Sequence, residues 1–519
     1  MISISEKTKC GIAELINKYG NADYDRFISQ KNFFYFYHLS SLRHAVLGWY
    51  PFPKSGEVLE IGAGFGALTG LFLEEFGHVD VIESDEFSFD CLKRRFAAED
   101  INAFCTGLDA YKTEKKYDWI FVIDSDILYR RNLDTIMQIV KGLLKETGTA
   151  VFGFRNKRGA KYTCGALDEY VTEPFDTERL IGAEQFSETA KRFFNRINYY
   201  YPFPDHVYTQ AVFSDSDMPK ESIRDRVMPM DPFSSPVIKF ENDEYDKAIA
   251  DGCLNKISNF CLAFMKNGDE DNINVKRAIL SYDRGIRSYK TVFLNNDTVV
   301  KSPIKREGII NLKRSFDNLE ELKSRGLLTV PQEFEESSII MPRIRDKTLL
   351  DAIGQYAETK DQNGIIDLFK QMYANILRSS DTDSSGYDER KWGVPLDEAG
   401  TILRTGFIDL IPYNAFYADQ GIMYYDQEFA EEYCPSKYIH FRAIHYTYIH
   451  IGQLENVIKE ADMYRLFDID AEMKEAFERY ENKFVEDNRN WSLYSAMYGW
   501  VYGISKDRIE ANRKKLMDE

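Results

Sequence analysis

The stretch VLEIGAGFGALTG, residues 58–70, decides the predicted fold of the first half of the chain. Its first four residues predict a short apolar strand, and the residues after the glycines predict a helix. Gly62, Gly64 and Gly66 allow a tight turn, let a ligand approach the backbone and direct a helix N-terminus at it. This order of strand, glycine turn and helix indicates a nucleotide-binding sheet.

The alternation of strands and helices continues beyond this turn. The next predicted strand, HVDVIE, ends at Glu83, where an acidic residue can accept hydrogen bonds from ribose hydroxyls. Later strands and one helix are predicted at NAFCTGLDAY, YDWIFVIDSDILY, residues 133–144 and GTAVFGF. Five such β/α units predict a doubly wound sheet.

Composition narrows the class of protein. A chain of 519 residues is too long for one hydrophobic core, so we expect two or three domains. The formal net charge of −18 argues against a nucleic-acid partner, which would need clustered Lys and Arg. Seven scattered cysteines and the lack of a long apolar stretch predict a reduced protein without a transmembrane segment, located in the cytoplasm.

An acid just before the first glycine narrows the choice of nucleotide. The pattern Glu60-x-Gly62-x-Gly64-x-Gly66 resembles motif I of class I S-adenosylmethionine-dependent methyltransferases. The resemblance implies that the first acid contacts the methionine end of S-adenosylmethionine (SAM), and that the acid after the second strand binds the ribose. The implied SAM-binding residues are Glu60, Gly62, Gly64, Gly66, Glu83 and Asp109, the last beside the adenine. Asp109, in GLDAY, is alternatively a turn residue.

Three longer phrases look like one subgroup of bacterial methyltransferases that is found with glycosyltransferases in cell-surface polysaccharide assembly. They are LSSLRHAVLGWYPFPKSGEVLEIGAGFGALTG, RNKRGAKYTCGALDEY and YYYPFPDHVYTQAVFSD. The resemblance implies a Rossmann-like, seven-stranded domain over residues 1–270, with a helical extension at 1–50 and an insertion at 216–256. Its closing antiparallel strand pair is expected at HVYTQAVFS and NKISNFCLAFMKN.

Candidate catalytic side chains for methyl transfer lie where class I folds place substrate-facing groups. They are His206, Asp124 and Asp126. A sugar hydroxyl needs a general base, and the unperturbed pKa of histidine suits that role, whereas an anionic phosphate needs none. The two aspartates are alternatively loop or helix-capping residues.

The basic stretch RNKRGAKY has two interpretations. It suits a phosphorylated or lipid-pyrophosphate-linked acceptor, or it forms a solvated basic face. Its cations are Arg155, Lys157, Arg158 and Lys161.

From about residue 276 the pattern changes. Short alternating strands precede a helix over residues 309–319, an apolar strand at SSIIMPRI and an amphipathic helix at DKTLLDAIGQY. This order resembles the N-lobe, hinge and first C-lobe helix of a kinase. The resemblance implies an α+β, two-lobed kinase-like domain over residues 276–519, with a helical C-terminal tail. In it, Lys301 would contact the phosphates of ATP.

Spacing leaves three candidates for the helix residue that pairs with Lys301. Glu320 is the residue we expect to pair with it, and Glu307 or Glu321 would also reach.

The stretch GFIDLIPYNAFYADQGIMYYDQEF, residues 406–429, carries the rest of the kinase resemblance. It implies that Asp409 orients an acceptor hydroxyl and that Asn414 and Asp426 hold Mg²⁺. The pattern departs from the family in having Phe407-Ile408 for His-Arg, Gln-Glu for Phe-Gly after Asp426, and no complete glycine-rich loop. Sugar kinases and pseudokinases both show such losses, so the sequence does not decide whether this domain transfers phosphate from ATP.

Three functions compete on these grounds. The first is a SAM-dependent methyltransferase that acts on a cell-surface glycan or its lipid-linked precursor, with a kinase-like domain for acceptor binding. The second is a bifunctional enzyme, similar in layout to O-antigen chain-terminating methyltransferase–kinases, that phosphorylates a terminal sugar and methylates the phosphate. The third is a non-catalytic scaffold. Glycosyltransferases of the same pathway are expected partners, in the cytoplasm or at the inner face of the membrane.

Overall fold

The computed structural model describes residues 5–22, 32–268, 275–282, 284–489 and 504–518. The chain divides into two units. The first unit takes in Met1–Asp283, Thr291–Asn296 and Asn490–Glu519. The second takes in Arg284–Lys290 and Asp297–Arg489.

The elements are numbered here in chain order. The strands are β1 Val58–Ile61, β2 Val79–Glu83, β3 Ile101–Cys105, β4 Tyr117–Ile123, β5 Leu144–Arg155, β6 Arg196–Phe203, β7 Ala211–Ser214, β8 Phe260–Lys266, β9 Val275–Ser281, β10 Tyr289–Leu294, β11 Thr298–Pro303, β12 Leu328–Thr329, β13 Glu333–Glu335, β14 Ser338–Pro342, β15 Lys347–Thr348, β16 Ile402–Phe407, β17 Ala415–Ala418, β18 Gly421–Tyr424 and β19 Ala430–Pro435.

The α-helices are α1 Glu6–Tyr19, α2 Phe33–Leu39, α3 Thr69–Phe76, α4 Glu86–Arg95, α5 Ile127–Arg130, α6 Leu133–Leu143, α7 Ala160–Thr163, α8 Ala183–Ala190, α9 Glu241–Ala250, α10 Ile309–Ser324, α11 Leu349–Glu358, α12 Gln362–Arg378, α13 Glu389–Trp392, α14 Ser436–His450, α15 Glu460–Leu466, α16 Ala471–Asn488 and α17 Lys506–Asp518. Short 3-10 turns lie at Ser41–Val46, Leu254–Ile257, Gly285–Arg287, Arg306–Gly308, Pro412–Asn414 and Gly452–Asn456.

The first unit contains the doubly wound sheet that the sequence predicts. Its strand order is β3-β2-β1-β4-β5-β8-β6-β7-β9, and β1 to β5 are parallel. Every residue of β1 and β2 is buried, as expected for parallel strands that are covered on both faces. The order changes direction between β1 and β4, and ligands of such sheets bind outside the carboxyl ends of the strands at that point.

The closure of this sheet differs from the expected strand pair. Strand β8 lies between β5 and β6 and runs antiparallel to both, whereas β7, from HVYTQAVFS, pairs with β6 and β9. The length of β6 explains the difference, because an eight-residue strand has room for a partner along each edge. Its residues 196–200 lie opposite residues 262–266 of β8, and its residues 200–203 lie opposite residues 211–214 of β7.

The N-terminal helices cover the glycine turn. Ile12 and Ile16 of α1 and Leu39 of α2 form a buried cluster with Phe65, which lies inside the turn, and with Cys91 of α4. Burial of these side chains stabilises α1 and α2 against the sheet.

The C-terminal helix α17 belongs to the first unit, whereas the sequence analysis grouped it with the kinase-like domain. Arg508 forms an ion pair with Asp231 at 3.0 Å, and the Asn512 side chain donates to the carbonyl of Val237 at 2.8 Å. Both partners lie in the predicted insertion at 216–256. These polar contacts account for the grouping of α17 with the first unit.

The second unit has its own core. It is built mainly from α11, α12, α14 and α16, with apolar residues of β16 and of the turn that follows it. Strands β16 and β19 are antiparallel, from Ile402 opposite Pro435 to Phe407 opposite Ala430. The segment between them, residues 408–429, therefore starts and ends at neighbouring positions. Among the described helices of the whole chain, none is both long and apolar enough to cross a lipid bilayer.

Candidate functional site

The glycine turn after β1 combines close packing with open space. Gly62 has a φ of +75°, and a Cβ there would overlap the hydroxyl of Ser125. Gly64 has a φ of +57°, and a Cβ there would meet no atom within 4 Å. Gly66 lies against the ring of Phe96. The first and third glycines are thus required for packing, while the second leaves room for a ligand against the backbone.

Glu83 holds this turn in place. Its Oε2 accepts a hydrogen bond from the amide of Gly64 at 2.8 Å, and its Oε1 accepts one from the amide of Asp85 at 2.7 Å. Burial raises the pKa of Glu83, and the amide hydrogen bonds oppose that rise. The carboxylate therefore links the end of β2 to the turn after β1.

Glu60, at the end of β1, is the second buried carboxyl group beside the turn. It accepts a hydrogen bond from the Thr69 hydroxyl at 2.6 Å. Burial raises the pKa of Glu60 to about 7, and the charge of Glu83 adds to this. A cation bound beside Glu60 would lower that pKa again, because it would stabilise the ionised form.

Asp109 lies apart from these groups. It occupies a turn after β3, is partly exposed, and forms an ion pair with Arg131 at 2.6 Å. This position and this ion pair agree with the interpretation of Asp109 as a turn residue.

A buried charged cluster follows β4, β5 and β6. Asp124, just after β4, has a φ of +49°. It lies 2.8 Å from Nη2 of Arg155 and 2.8 Å from Nε2 of His206, and it accepts hydrogen bonds from the hydroxyls of Tyr37 and Tyr129. Burial alone would raise the pKa of Asp124, but the charge of Arg155 and the hydrogen bonds from Arg155 and His206 hold it well below its usual range.

Arg155 was expected to belong to a basic acceptor face, but its side chain is 3% exposed. Besides Asp124 it contacts Asp168 at 3.1 Å and Glu169 at 2.9 Å. The other three cations of RNKRGAKY also have acidic partners; the pairs are Lys157 with Glu178, Arg158 with Glu184, and Lys161 with Asp168 and Asp205. These cations do not form a common basic surface.

His206 lies inside this cluster with one free nitrogen. The residue is 1% exposed, and its ring stacks on Phe260 at 4.2 Å between centroids. Nε2 faces Asp124, while Nδ1 has no hydrogen-bond partner among the described residues. Burial lowers the pKa of His206 to about 4, although the charge of Asp124 acts in the opposite direction. The imidazole is therefore neutral near pH 7.

A small cavity of about 20 Å³ adjoins His206. Its walls include Asp168, Glu169 and Asp205, together with Phe33 and Phe233, whose rings meet at 4.9 Å. The cavity lies near the glycine turn, because Ser125, which Gly62 contacts, directly follows Asp124.

Asp126 is directed away from this cavity. It accepts a hydrogen bond from the Tyr170 hydroxyl, pairs with Arg130 at 2.7 Å, and has a side chain that is about half exposed. The structure thus brings together Asp124 and His206 and leaves Asp126 outside the pair.

The second unit has a charged cluster of its own. Lys301 on β11 contacts Asp426, and its Nζ lies 2.7 Å from Glu428, which also pairs with Arg284 at 3.2 Å. Burial opposes the charge of Lys301, but the two carboxylates raise its pKa above the ordinary value. Asp426 has a φ of +55°, an unusual backbone conformation for a residue other than glycine.

Asp409 lies beside this cluster. Its Oδ2 accepts hydrogen bonds from the amides of Glu428 and Phe429, each at 3.0 Å, and its Oδ1 lies 3.4 Å from Arg442. Burial raises the pKa of Asp409 to about 6, with Arg442 opposing the rise. Asn414 donates to the carbonyl of Asp409 at 3.4 Å.

Glu320 does not contact Lys301. It pairs with Lys323 at 3.3 Å on the outer side of α10. The buried residues of α10 include Leu319 and Leu322, and a residue at position 320 projects about 100° away from the first and about 160° away from the second. The residue of α10 that reaches the cluster is Asn318, which donates to the carbonyl of Gln427 at 2.9 Å. Glu428, two positions after Asp426, is the second partner of Lys301, and the sequence analysis did not identify it.

Comparisons with known proteins give matches at the level of solved structures. No protein-family model matches the chain, and no curated protein matches it either. A TehB-like SAM-dependent methyltransferase from Corynebacterium glutamicum is 14% identical with a TM-score of 0.25, over 44% of this chain and 88% of that one. The plantazolicin methyltransferase BpumL in complex with SAH is 12% identical with a TM-score of 0.29, over 51% and 91%.

A structure described as a methyltransferase from Thermoplasma acidophilum is 16% identical, with a TM-score of 0.18 over 20% of this chain. The match spans less than half of that chain, 46%. The doubly wound α/β fold of the first unit rests on its own strand order, β3-β2-β1-β4-β5-β8-β6, in which β8 is antiparallel to its neighbours.

The Asp124→Asn substitution tests the buried cluster. We expect it to lower the free energy of unfolding by about 3–5 kcal/mol, because it removes one charge of a buried ion pair and leaves Arg155 without that partner. Urea denaturation of the full chain measures this. The matched control is Asp126→Asn, whose half-exposed ion pair should contribute about 1 kcal/mol or less. Equal losses for the two variants would contradict a stabilising role of the cluster.

Proposed function

We propose that the chain is a SAM-dependent methyltransferase that acts on a cell-surface glycan or its lipid-linked precursor, with a kinase-like second unit that binds or phosphorylates the acceptor. The observation that carries the proposal is that a candidate cofactor site and a candidate general base lie close together at one edge of the sheet. The open glycine turn with Glu83 lies next to the buried pair of Asp124 and His206.

The residues of the turn fit SAM. The open face of Gly64 allows close approach of a ligand, and the carboxylate of Glu83, which is bonded to the Gly64 amide, would accept hydrogen bonds from ribose hydroxyls. The carboxyl group of Glu60 is buried without an ion pair among the described residues, and its raised pKa favours a cationic partner such as the amino group of SAM. When bound, SAM supplies an electrophilic methyl group on a sulfonium sulfur.

His206 is the group that we propose as the general base. With Nε2–H donating to Asp124, the lone pair of Nδ1 is free to accept the proton of an acceptor hydroxyl. The imidazolium that forms would be stabilised by the carboxylate of Asp124. The cavity has room for about one water molecule. It is therefore too small for a sugar ring as it stands, and an acceptor requires movement of its lining, which includes Phe33 and Phe233.

The charges around this cavity favour a neutral hydroxyl over a phosphate as the methylated group. Its walls carry two cations, Arg155 and Lys161, against the three carboxylates of Asp168, Glu169 and Asp205. An excess of carboxylates repels a dianionic phosphate. This supports the first of the three functions over the bifunctional one. The choice of a glycan as acceptor rests on the resemblance of residues 39–70, 155–170 and 199–215 to methyltransferases of polysaccharide assembly.

The second unit carries an observation that favours a kinase-like role. Lys301 and Asp426, separated by 125 positions, are in contact, and Asp409 lies in the same cluster. For phosphoryl transfer, Lys301 would contact the phosphates of ATP, Asn414 and Asp426 would hold Mg²⁺, and Asp409 would orient the acceptor hydroxyl. The positive φ of Asp426 supports this, since strained residues cluster at functional sites.

Cofactor binding is tested with Glu83→Ala. We expect the substitution to weaken SAM binding by about 1–3 kcal/mol, because it removes a charged acceptor and loosens the turn at Gly64. Isothermal titration calorimetry of the full chain measures this. Glu86→Ala, an exposed residue in the first turn of α4, is the control and should bind SAM as the parent does. An unchanged dissociation constant for Glu83→Ala would contradict the assignment of Glu83 to the SAM site.

The general base is tested with His206→Gln. Methyl transfer to a hydroxyl should slow by about 10²–10⁴-fold, while the affinity for SAM stays constant. The assay follows labelled methyl from SAM into the lipid-linked glycan, protein and RNA fractions of a bacterial extract. His78→Gln is the control, because His78 directly precedes β2 and Glu83 lies at the other end of that strand. An unchanged rate would favour a phosphate acceptor, and label found only in protein or RNA would overturn the glycan assignment.

Nucleotide binding tests the second unit. We expect ATP·Mg²⁺ to bind the full chain, and Lys301→Ala to weaken it by about tenfold or more, the effect of a lost charged contact. Lys323→Ala, an exposed lysine of the same unit, is the control. Asp409→Asn should keep ATP binding and abolish any phosphoryl transfer, and the rate of the parent should fall as the pH drops below about 6. Failure of ATP to bind would restrict the second unit to binding or scaffolding.

A further inference from the structure

The second unit contains a cavity of about 770 Å³ that borders the segment carrying Glu428 and Phe429. Its volume is in the range of small-molecule binding sites. We propose that this cavity binds a negatively charged saccharide, one that carries carboxylate or phosphate groups, as the acceptor of the second unit. The inference rests on the proposed kinase-like role, but it can be tested by binding alone.

Positive charge dominates the walls of the cavity. Six cations line it: Arg287, Arg314, Arg390, Lys391, Arg479 and Lys483. Within the described part of the chain, three carboxylates line it: Glu428, Glu431 and Asp487. Two of these are engaged, because Glu428 pairs with Lys301 and Arg284, and Glu431 pairs with Lys391 at 2.7 Å. Such an excess of cations stands out in a chain with a net charge of −18.

Most of the cations have no acidic partner. Among the residues that the structure describes, Arg287, Arg314, Arg390 and Lys483 form no ion pair. Arg287 is half-buried and lies over the ring of Phe429 at 4.4 Å. Burial of a guanidinium without a counter-ion is unfavourable, so an anion in the cavity would offset that cost.

Aromatic side chains distinguish this cavity from a simple anion site. Trp392 and Tyr480 lie 4.4 Å apart between ring centroids, and Phe429 and Phe484 lie 4.9 Å apart. All four line the cavity, Trp392 as a buried ring in its wall and the other three as partly exposed rings. Rings of this kind supply flat apolar surface next to polar groups, which matches the apolar faces and polar edges of sugar rings.

The cavity also adjoins the proposed acceptor-orienting carboxylate. The amides of Glu428 and Phe429, which are cavity residues, donate to Oδ2 of Asp409. A saccharide held by the cations would therefore lie near the group that is proposed to orient an acceptor hydroxyl.

The test measures binding of defined probes to the full chain by calorimetry, without SAM or ATP. The probes are trigalacturonate, glucose 6-phosphate, the neutral maltotriose and inorganic tripolyphosphate. We expect at least one charged saccharide to bind about tenfold or more tightly than maltotriose, and binding to weaken as salt rises. Comparison of trigalacturonate with glucose 6-phosphate distinguishes a carboxylate ligand from a phosphate ligand.

The double variant Arg390→Glu/Lys483→Glu should lose about tenfold or more of this affinity, because it reverses two exposed charges in the cavity. Lys370→Glu, an exposed lysine of α12 outside the cavity, is the matched control and should bind as the parent does. Equal affinity for maltotriose, binding of tripolyphosphate without either charged saccharide, no binding of any probe, or no effect of the double variant would each overturn the inference. Because SAM and ATP are absent, these outcomes are separate from a failure of methyl or phosphoryl transfer.

Discussion

The buried ion pair of Asp124 and Arg155 is the contact on which the candidate site of the first unit depends. Asp124 follows β4 and Arg155 ends β5. Asp124 also contacts His206 after β6, and both members of the pair contact the hydroxyl of Tyr37 in α2. Burying these charges is costly, and the cost is offset only when each lone pair and each N–H has a partner. The pair therefore fixes the ends of three strands and one helix relative to one another. It also sets the orientation of the His206 ring.

A buried carboxylate of the second unit, Asp409, has its pKa shifted in the opposite direction to that of Asp124. Burial tends to raise the pKa of both Asp124 and Asp409. For Asp124 the charge of Arg155 and the hydrogen bonds from Arg155 and His206 outweigh that effect. For Asp409 the charge of Arg442 is countered by Glu428 and Asp426, so its pKa rises to about 6. Such a group changes its charge near neutral pH, whereas Asp124 stays ionised. One carboxylate is suited to holding a structure and a neighbouring imidazole, and the other to a step that depends on protonation.

Local features of the first unit could be predicted from sequence because their causes are local. The order of apolar strand, three glycines, helix and acid lies within about 25 residues, and each part has a physical role there. The closure of the sheet could not be predicted in the same way, since β6 and β7 are both apolar and only their competition for β8 decides the pairing. Arg155 was misread for a related reason. A run of basic residues in the sequence does not show which carboxylates will pair with it, and here Asp168 and Glu169 pair with Arg155.

The second unit shows the same division between spacing and tertiary contact. The positions of Lys301, Asp409 and Asp426 were identified from their resemblance to a motif, but the partner of Lys301 was not, because it depends on which face of α10 is buried. Leu312, Leu319 and Leu322 turn one face of α10 inward, and Glu320 lies off that face. With no helix carboxylate in reach, Lys301 is neutralised by Asp426 and Glu428 of a single segment. That arrangement has a consequence for ligand binding. In the proposed kinase-like role, the phosphates of ATP would have to compete with two carboxylates for one lysine, and Mg²⁺ held by Asp426 would reduce that competition.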